Sequence, residues 1–269
     1  MDNPVGVIGG LGPKATISFM KGIVDQTDAS CDQDHLNILL FHHSSIPDRT
    51  AYILNPDQAE NPLPMLVDDV KQLEQAGASF IAIPCNTAHY FYDELQAQTN
   101  IPIVHMIRET VGAIKRNNPK AKQVGILATE GTVQAHLYQS ELERVGLTSY
   151  APPSWMQETV NALIFDQVKN GDPIDYQAYN YVLAQMSSYG CDVVILGCTE
   201  LSYIEDTAPL HGFPVIDAQR VLVETTIERG GKNVKKRSTA VKNDVIKAST
   251  HGLMLFLCEQ DDIDSRNTN

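Results

Sequence analysis

Gly77-Ala78-Ser79-Phe80-Ile81-Ala82-Ile83-Pro84-Cys85-Asn86-Thr87 and Gly190-Cys191-Asp192-Val193-Val194-Ile195-Leu196-Gly197-Cys198-Thr199-Glu200 are two versions of one segment. Each opens on a glycine of the kind that ends a helix. Each then runs through apolar residues and breaks at a cysteine followed by small polar side chains. A short continuous apolar run reads as a parallel strand covered on both faces. If the two are equivalent strands of a duplicated chain, Cys85 and Cys198 face each other across one site. Opposed thiols are the acid/base pair needed to take a proton from one face of a carbon and return one to the other.

The repetition extends outward from the cysteines. Gly6-Val7-Ile8-Gly9-Gly10-Leu11-Gly12-Pro13-Lys14-Ala15-Thr16 resembles Gly125-Ile126-Leu127-Ala128-Thr129-Glu130-Gly131-Thr132. Ile101-Pro102-Ile103-Val104-His105-Met106 resembles Phe213-Pro214-Val215-Ile216-Asp217-Ala218. The three matches keep their order at offsets of 119, 113 and 112 residues, which points to duplication. That period is too long for a solenoid and suits two similar domains.

Strands are predicted at residues 5–8, 36–41, 80–83, 103–104, 123–127, 193–196 and 215–216. Helical patterns lie between them. In residues 63–75, Met65, Leu66, Val70 and Leu73 share a face, and Gly77 follows as a stop signal;. In residues 176–186 the face is Tyr179, Val182, Leu183 and Met186, with Asp172-Pro173 as the expected cap and first helical position;. Strand–helix alternation predicts an α/β fold of two pseudo-symmetric parallel-sheet domains, with the site in the cleft between them. The expected division is residues 1–110, 111–229 and a C-terminal extension 230–269. Ligands of such sheets sit at the carboxyl ends of strands, where both cysteines fall.

Composition narrows the function. With 43% hydrophobic and 20% charged residues, the 269-residue chain reads as globular;. A net charge of −13 disfavours nucleic acid as a partner;. No apolar run approaches the roughly 20 residues of a membrane span, and the N-terminus reads as a strand rather than a signal peptide, so a cytoplasmic location is expected. The five cysteines are odd in number and not at zinc-ligand spacing;. Cys31, Cys191 and Cys258 lack the polar turn after them and read as structural. Gly9-Gly10-Leu11-Gly12 matches neither nucleotide-binding fingerprint. His42 and His43 are neighbours on a strand end and point to opposite faces, which disfavours a shared metal. No pyridoxal-phosphate lysine motif stands out. The tail carries Lys232, Lys235, Lys236 and Arg237, then a short apolar piece at 253–257, and has no counterpart in the first half.

Both cysteines read as strand end, turn and helix start. Free N–H groups and the positive helix end would then favour a thiolate. The same N–H groups, with the Asn86 and Thr87 side chains, suit a carboxylate. His89, close behind the first cysteine, either orients it or caps the helix.

Gly9-Gly10-Leu11-Gly12-Pro13, Pro84-Cys85-Asn86-Thr87-Ala88-His89 and Gly197-Cys198-Thr199-Glu200-Leu201 resemble the signatures of the aspartate/glutamate racemase family, over residues 4–228. Glu200, where glutamate racemases typically have His, places the resemblance nearer the aspartate branch. The resemblance implies a cofactor-independent racemase of acidic amino acids, usually a homodimer, with Cys85 and Cys198 as its two acid/base groups. It also implies that Arg49, in Pro47-Asp48-Arg49-Thr50, and Lys169, in the segment 164–171, reach the substrate. Both cations suit a side-chain carboxylate. Thr129 and Thr132 match positions lining the same cleft, and Thr199 and Glu200 complete the expected substrate-binding set. A cysteine-dependent decarboxylase or isomerase of the same fold, and a non-catalytic amino-acid-binding homologue, are the alternatives. The first needs one thiol, and the second tolerates the loss of one.

Overall fold

The computed structural model describes residues 3–208 and 211–236. The apolar piece at 253–257 and Cys258 lie outside them. The first sheet holds β1 (Val5–Gly9), β2 (Ile38–His42) and β3 (Ile81–Ala82) in the order β2-β1-β3. The second holds β4 (Gln123–Ala128), β5 (Thr148–Tyr150), β6 (Val193–Gly197) and β7 (Val215–Asp217) in the order β5-β4-β6-β7. Every pairing is parallel. An isolated parallel bridge between Ile81 and Ile103 stands where β6 pairs with β7 in the second sheet. The two sheets therefore share one strand order, as the repeated segments predict.

The helices are α1 (Pro13–Gln26), α2 (Arg49–Leu54), α3 (Leu63–Gln75), α4 (Tyr92–Gln96), α5 (Met106–Asn117), α6 (Glu130–Gln134), α7 (Leu137–Arg144), α8 (Ser154–Asn161), α9 (Tyr176–Ser188), α10 (Thr199–Thr207) and α11 (Ala218–Arg229). His105 and Asp217 are matched in the sequence repeat, and each caps its helix with its own side chain, on α5 and α11 respectively. One apolar core runs between the sheets, from Val5, Val7 and Phe19 through Ile107 and Ile114 to Ile126, Ile195 and Leu222. Two further cores cover the outer faces. Each large aliphatic side chain removed from water in this way contributes about 1.5–3 kcal/mol.

Several predicted boundaries move. The strand expected at 80–83 pairs over only Ile81–Ala82, because Pro84 lacks a donor for the ladder;. The pair expected at 103–104 is a single bridge. Helix α9 begins at Tyr176, with the Asp175 carboxylate accepting from Ala178 N at 2.9 Å. Asp172 instead gives its N–H to the Asp166 carbonyl, at the end of an upstream helical segment, and Asp175 takes the capping place. That segment, Ala162–Lys169, is π-helical and follows α8 directly. Such wide turns are uncommon and concentrate at functional sites. Cys191 is buried as expected, whereas Cys31 is exposed in a short 3₁₀ turn and packs no core. The first residues of the tail pair with the end of α1, through a Thr27–Val234 bridge and Lys235 N on the Gln26 carbonyl.

Candidate functional site

The carboxyl ends of β1, β3, β4 and β6 converge. Gly10 follows β1 with a positive φ of 85°, and a Cβ there would lie 2.6 Å from the His43 backbone. Only glycine makes that turn at so close an approach. Thr16 ties the turn down, accepting from Gly10 N and donating to the Gly12 carbonyl, each at 2.9 Å. Gly12 then lies against the other half, where a Cβ would come within 2.4 Å of Glu200 Oε1. At a neighbouring edge Gly131 of α6 packs on Thr50 of α2, at 3.0 Å from a built Cβ to Thr50 Cα.

These approaches frame a narrow cavity, partly open to solvent, into which Cys85 and Cys198 both open. The same cavity is lined by Arg49, Asn86, Thr87, Thr129, Lys169, Thr199 and Glu200. Of the ten residues predicted for the site, only Thr132 is absent from its wall. A wider, more open space adjoins it past Lys14, Ser44 and Val168, sharing Arg49, Lys169 and Glu200.

The two cysteines are not electrostatically equivalent. Cys198 is the N-cap of α10, and its thiol donates to Glu200 Oε2 at 2.9 Å. Thr199 Oγ1 donates to the same carboxylate oxygen at 3.3 Å. Burial, and then the Glu200 charge, push the Cys198 thiol well above its ordinary range, with the Lys169 charge acting the other way;. The thiolate expected at this helix end is disfavoured: burial first, and the carboxylate at hydrogen-bond distance second, outweigh the partial charge of the helix terminus;. Glu200, expected on the substrate, has its carboxylate on the Cys198–Thr199 pair. Cys85 is followed by a 3₁₀ turn, Thr87–Phe91, rather than an α-helix, and its neighbours Asn86 and Thr87 are uncharged.

The cations enter from opposite halves. Arg49 is buried, and its guanidinium donates to the carbonyls of Leu11 at 2.6 Å, Pro47 at 3.0 Å and Ile46 at 3.2 Å. Its Nε has no partner among the described residues. Arg49 thus braces the loops of the first half, a role the sequence gives no sign of. Lys169 ends the π-helical segment, lies 4.5 Å from the Phe165 ring centroid and 4.0 Å from Asp48 Oδ2. Lys14 Nζ donates to the Val168 carbonyl at 2.7 Å, joining α1 to the same segment.

Thr87, Thr129 and Thr132 meet as three hydroxyls, at 3.1 Å, 2.9 Å and 3.0 Å, so one half is pinned to the other at the cavity wall. Thr129 also caps α6, accepting from Thr132 N at 3.3 Å. His89 settles to one tautomer. Met106 N donates to its Nε2 at 3.0 Å, so the proton sits on Nδ1 and is given to the Cys85 carbonyl at 2.9 Å;. Burial lowers its pKa and keeps it neutral. It holds the Cys85 backbone and does not touch the thiol. Among the described residues no group of three His, Cys, Asp or Glu side chains is placed to hold a metal ion, and no helix is long and apolar enough to cross a membrane.

Two thiols on opposite halves open into this cavity with amide and hydroxyl donors and two cations along its wall, and the chain as a whole is similar to known proteins. A profile of Asp/Glu/hydantoin racemases matches residues 8–226. The broad specificity amino-acid racemase RacX of Bacillus subtilis (strain 168) is 31% identical over 228 residues, which is 83% of this chain and 96% of that protein. The aspartate racemase of Picrophilus torridus superposes with a TM-score of 0.77 at 30% identity, covering 87% of this chain and 96% of the other. An aspartate racemase homologue from Pyrococcus horikoshii OT3 gives 0.68 at 25% identity, over 86% and 100% of the two chains. The match spans both sheets and both cysteine turns, and the chain belongs to the Asp/Glu/hydantoin racemase family.

Proposed function

We propose that this chain interconverts the enantiomers of an acidic amino acid, aspartate first and glutamate second, by exchange of the α-proton between two thiols and without a cofactor. The observation that carries the reading is that Cys85 and Cys198, at matched ends of β3 and β6, open into one cavity. One sulfur, as thiolate, removes the α-proton. The electron pair of the broken C–H bond stays on Cα and spreads into the α-carboxylate, which Asn86 and Thr87 are placed to hold. The other sulfur gives its proton to the opposite face, and the inverted amino acid leaves. Preorganised donors aimed at the charge that develops are the largest expected contribution to such a step.

The test uses the purified protein after exhaustive dialysis against chelator. Single enantiomers of aspartate, glutamate and alanine are incubated separately and resolved by chiral chromatography. Aspartate is expected to reach an equal mixture of enantiomers from either side. A folded protein that inverts none of the three overturns the reading. Activity that returns only with added metal or pyridoxal phosphate overturns cofactor independence. The reading includes a cytoplasmic homodimer; Ile17 and Val24, exposed on one face of α1, are apolar surface such a contact would cover, and sedimentation measures it.

Lys169 carries the preference for an acidic side chain. Arg49 already spends its donors on backbone carbonyls, so its loss would disturb the loops as well as the ligand. Lys169→Ala is the cleaner probe. Losing one charge-assisted contact of about 1.5–3 kcal/mol lowers kcat/KM on aspartate roughly 10- to 150-fold. On alanine, which has no distal carboxylate, the loss is small. Equal losses on both substrates would remove the basis for the acidic-substrate assignment.

A further inference from the structure

Tyr138 of α7 has no solvent exposure and touches the residue beside each cysteine. Its hydroxyl donates to Oδ1 of Asn86, the residue after Cys85. Its ring lies over Gly197, the residue before Cys198, where a Cβ would come within 2.8 Å of Tyr138 Cε2. Burial pushes the phenol far above its ordinary range, so it stays protonated and remains a donor. A donor at that place must be met by the amide oxygen, which fixes the orientation of the Asn86 side chain. The other end of the amide, Nδ2, is buried in a cavity-lining residue that is 2% exposed, and it has no partner among the described residues.

We infer that Tyr138 is a positioning residue: it locks the Asn86 amide so that Nδ2, the end left free, is the donor offered to a carboxylate in the cavity. The inference rests on the racemase reading for the identity of that carboxylate. Without the phenol proton, either end of the amide can face the cavity, and the oxygen end repels the anion it should hold.

Tyr138→Phe removes the hydroxyl and keeps the ring over Gly197. The expected result is a fall in kcat/KM for aspartate of roughly 5- to 10-fold, shared between a higher KM, because the contact already holds the ground-state carboxylate, and a lower kcat, because charge grows on that carboxylate as the proton leaves. Asn86→Ala lowers kcat/KM further, and Tyr138→Phe added to Asn86→Ala costs nothing more. A side chain that merely supports the fold would give additive losses. Asn86→Asp covers the case in which Tyr138→Phe does not fold. It keeps the acceptor for Tyr138 and replaces only the free donor with an oxygen. Malonate titration by calorimetry gives a readout without turnover, and affinity is expected to fall at least roughly tenfold in Asn86→Asp. Unchanged kcat/KM and malonate affinity in Tyr138→Phe, additive losses in the double variant, or full malonate affinity in Asn86→Asp would each overturn the inference. Absence of turnover in the wild type, with malonate binding that still depends on Tyr138, would sink the racemase reading and leave this one standing.

Discussion

Cys85→Ser and Cys198→Ser each lose racemisation by roughly 10²- to 10⁴-fold, the range over which a positioned acid or base acts. The two variants nonetheless keep opposite halves of the reaction. A site with one thiol can still remove the α-proton on that thiol's side, exchange it with solvent and return it to the same face. In deuterium oxide one variant therefore washes deuterium into the L enantiomer and the other into the D enantiomer, each without inversion. Because the equilibrium constant of a racemisation is one, kcat/KM must fall equally in both directions, so rates of inversion alone cannot tell the two cysteines apart. Isotope exchange read by mass spectrometry can. A single variant that inverts both enantiomers at near the wild-type rate, or two variants that exchange the same enantiomer, would refute the two-thiol mechanism.

Much of this arrangement is legible in the sequence because duplication repeats its most constrained points. A strand that must be apolar on both faces, and then stop at a turn carrying a functional side chain, leaves the same mark twice. The matched segments around Ile103 and Val215 mark equivalent places in the two halves, though not which strands are adjacent. Side-chain partnerships are a different matter. The Arg49 guanidinium is consumed by carbonyls of Leu11, Ile46 and Pro47, and carbonyl directions are not written in residue types. Tyr138 and Asn86 are 52 residues apart, and a tyrosine on a helix reads as core. The only local trace is Gly197, whose missing side chain makes room for the ring. The π-helical segment 162–169 has no signature either, since its apolar residues fit an ordinary helix as well. The sign of the Cys198 shift was also hidden. A helix N-terminus beside a cysteine argues for a thiolate, and only the fold of the turn shows the Glu200 carboxylate at 2.9 Å from the sulfur.

Glu200→Gln separates two consequences of that contact. The carboxylate accepts from the Cys198 thiol and favours the protonated sulfur. Replacing the charge with a neutral amide removes the repulsion that opposes ionisation of the sulfur. Alkylation of Cys198 by iodoacetamide near pH 8 is therefore expected to speed up in the variant. Racemisation is expected to slow by roughly 10²-fold, because the site loses the group that takes the Cys198 proton when that sulfur must act as base. More reactive sulfur and less catalysis are opposite signs, and damage to the fold gives neither pattern. Stability supplies an independent check. The folded thiol binds its proton more tightly than the unfolded one, whose ordinary value is 9.0. The contribution is fully present below that pH and is lost as pH rises above it. The wild-type melting temperature should therefore fall in the alkaline range, and the fall should be smaller in Glu200→Gln. Unchanged alkylation and an unchanged alkaline slope would mean that Glu200 does not govern the sulfur. Unchanged racemisation would mean that the proton leaves Cys198 by another route.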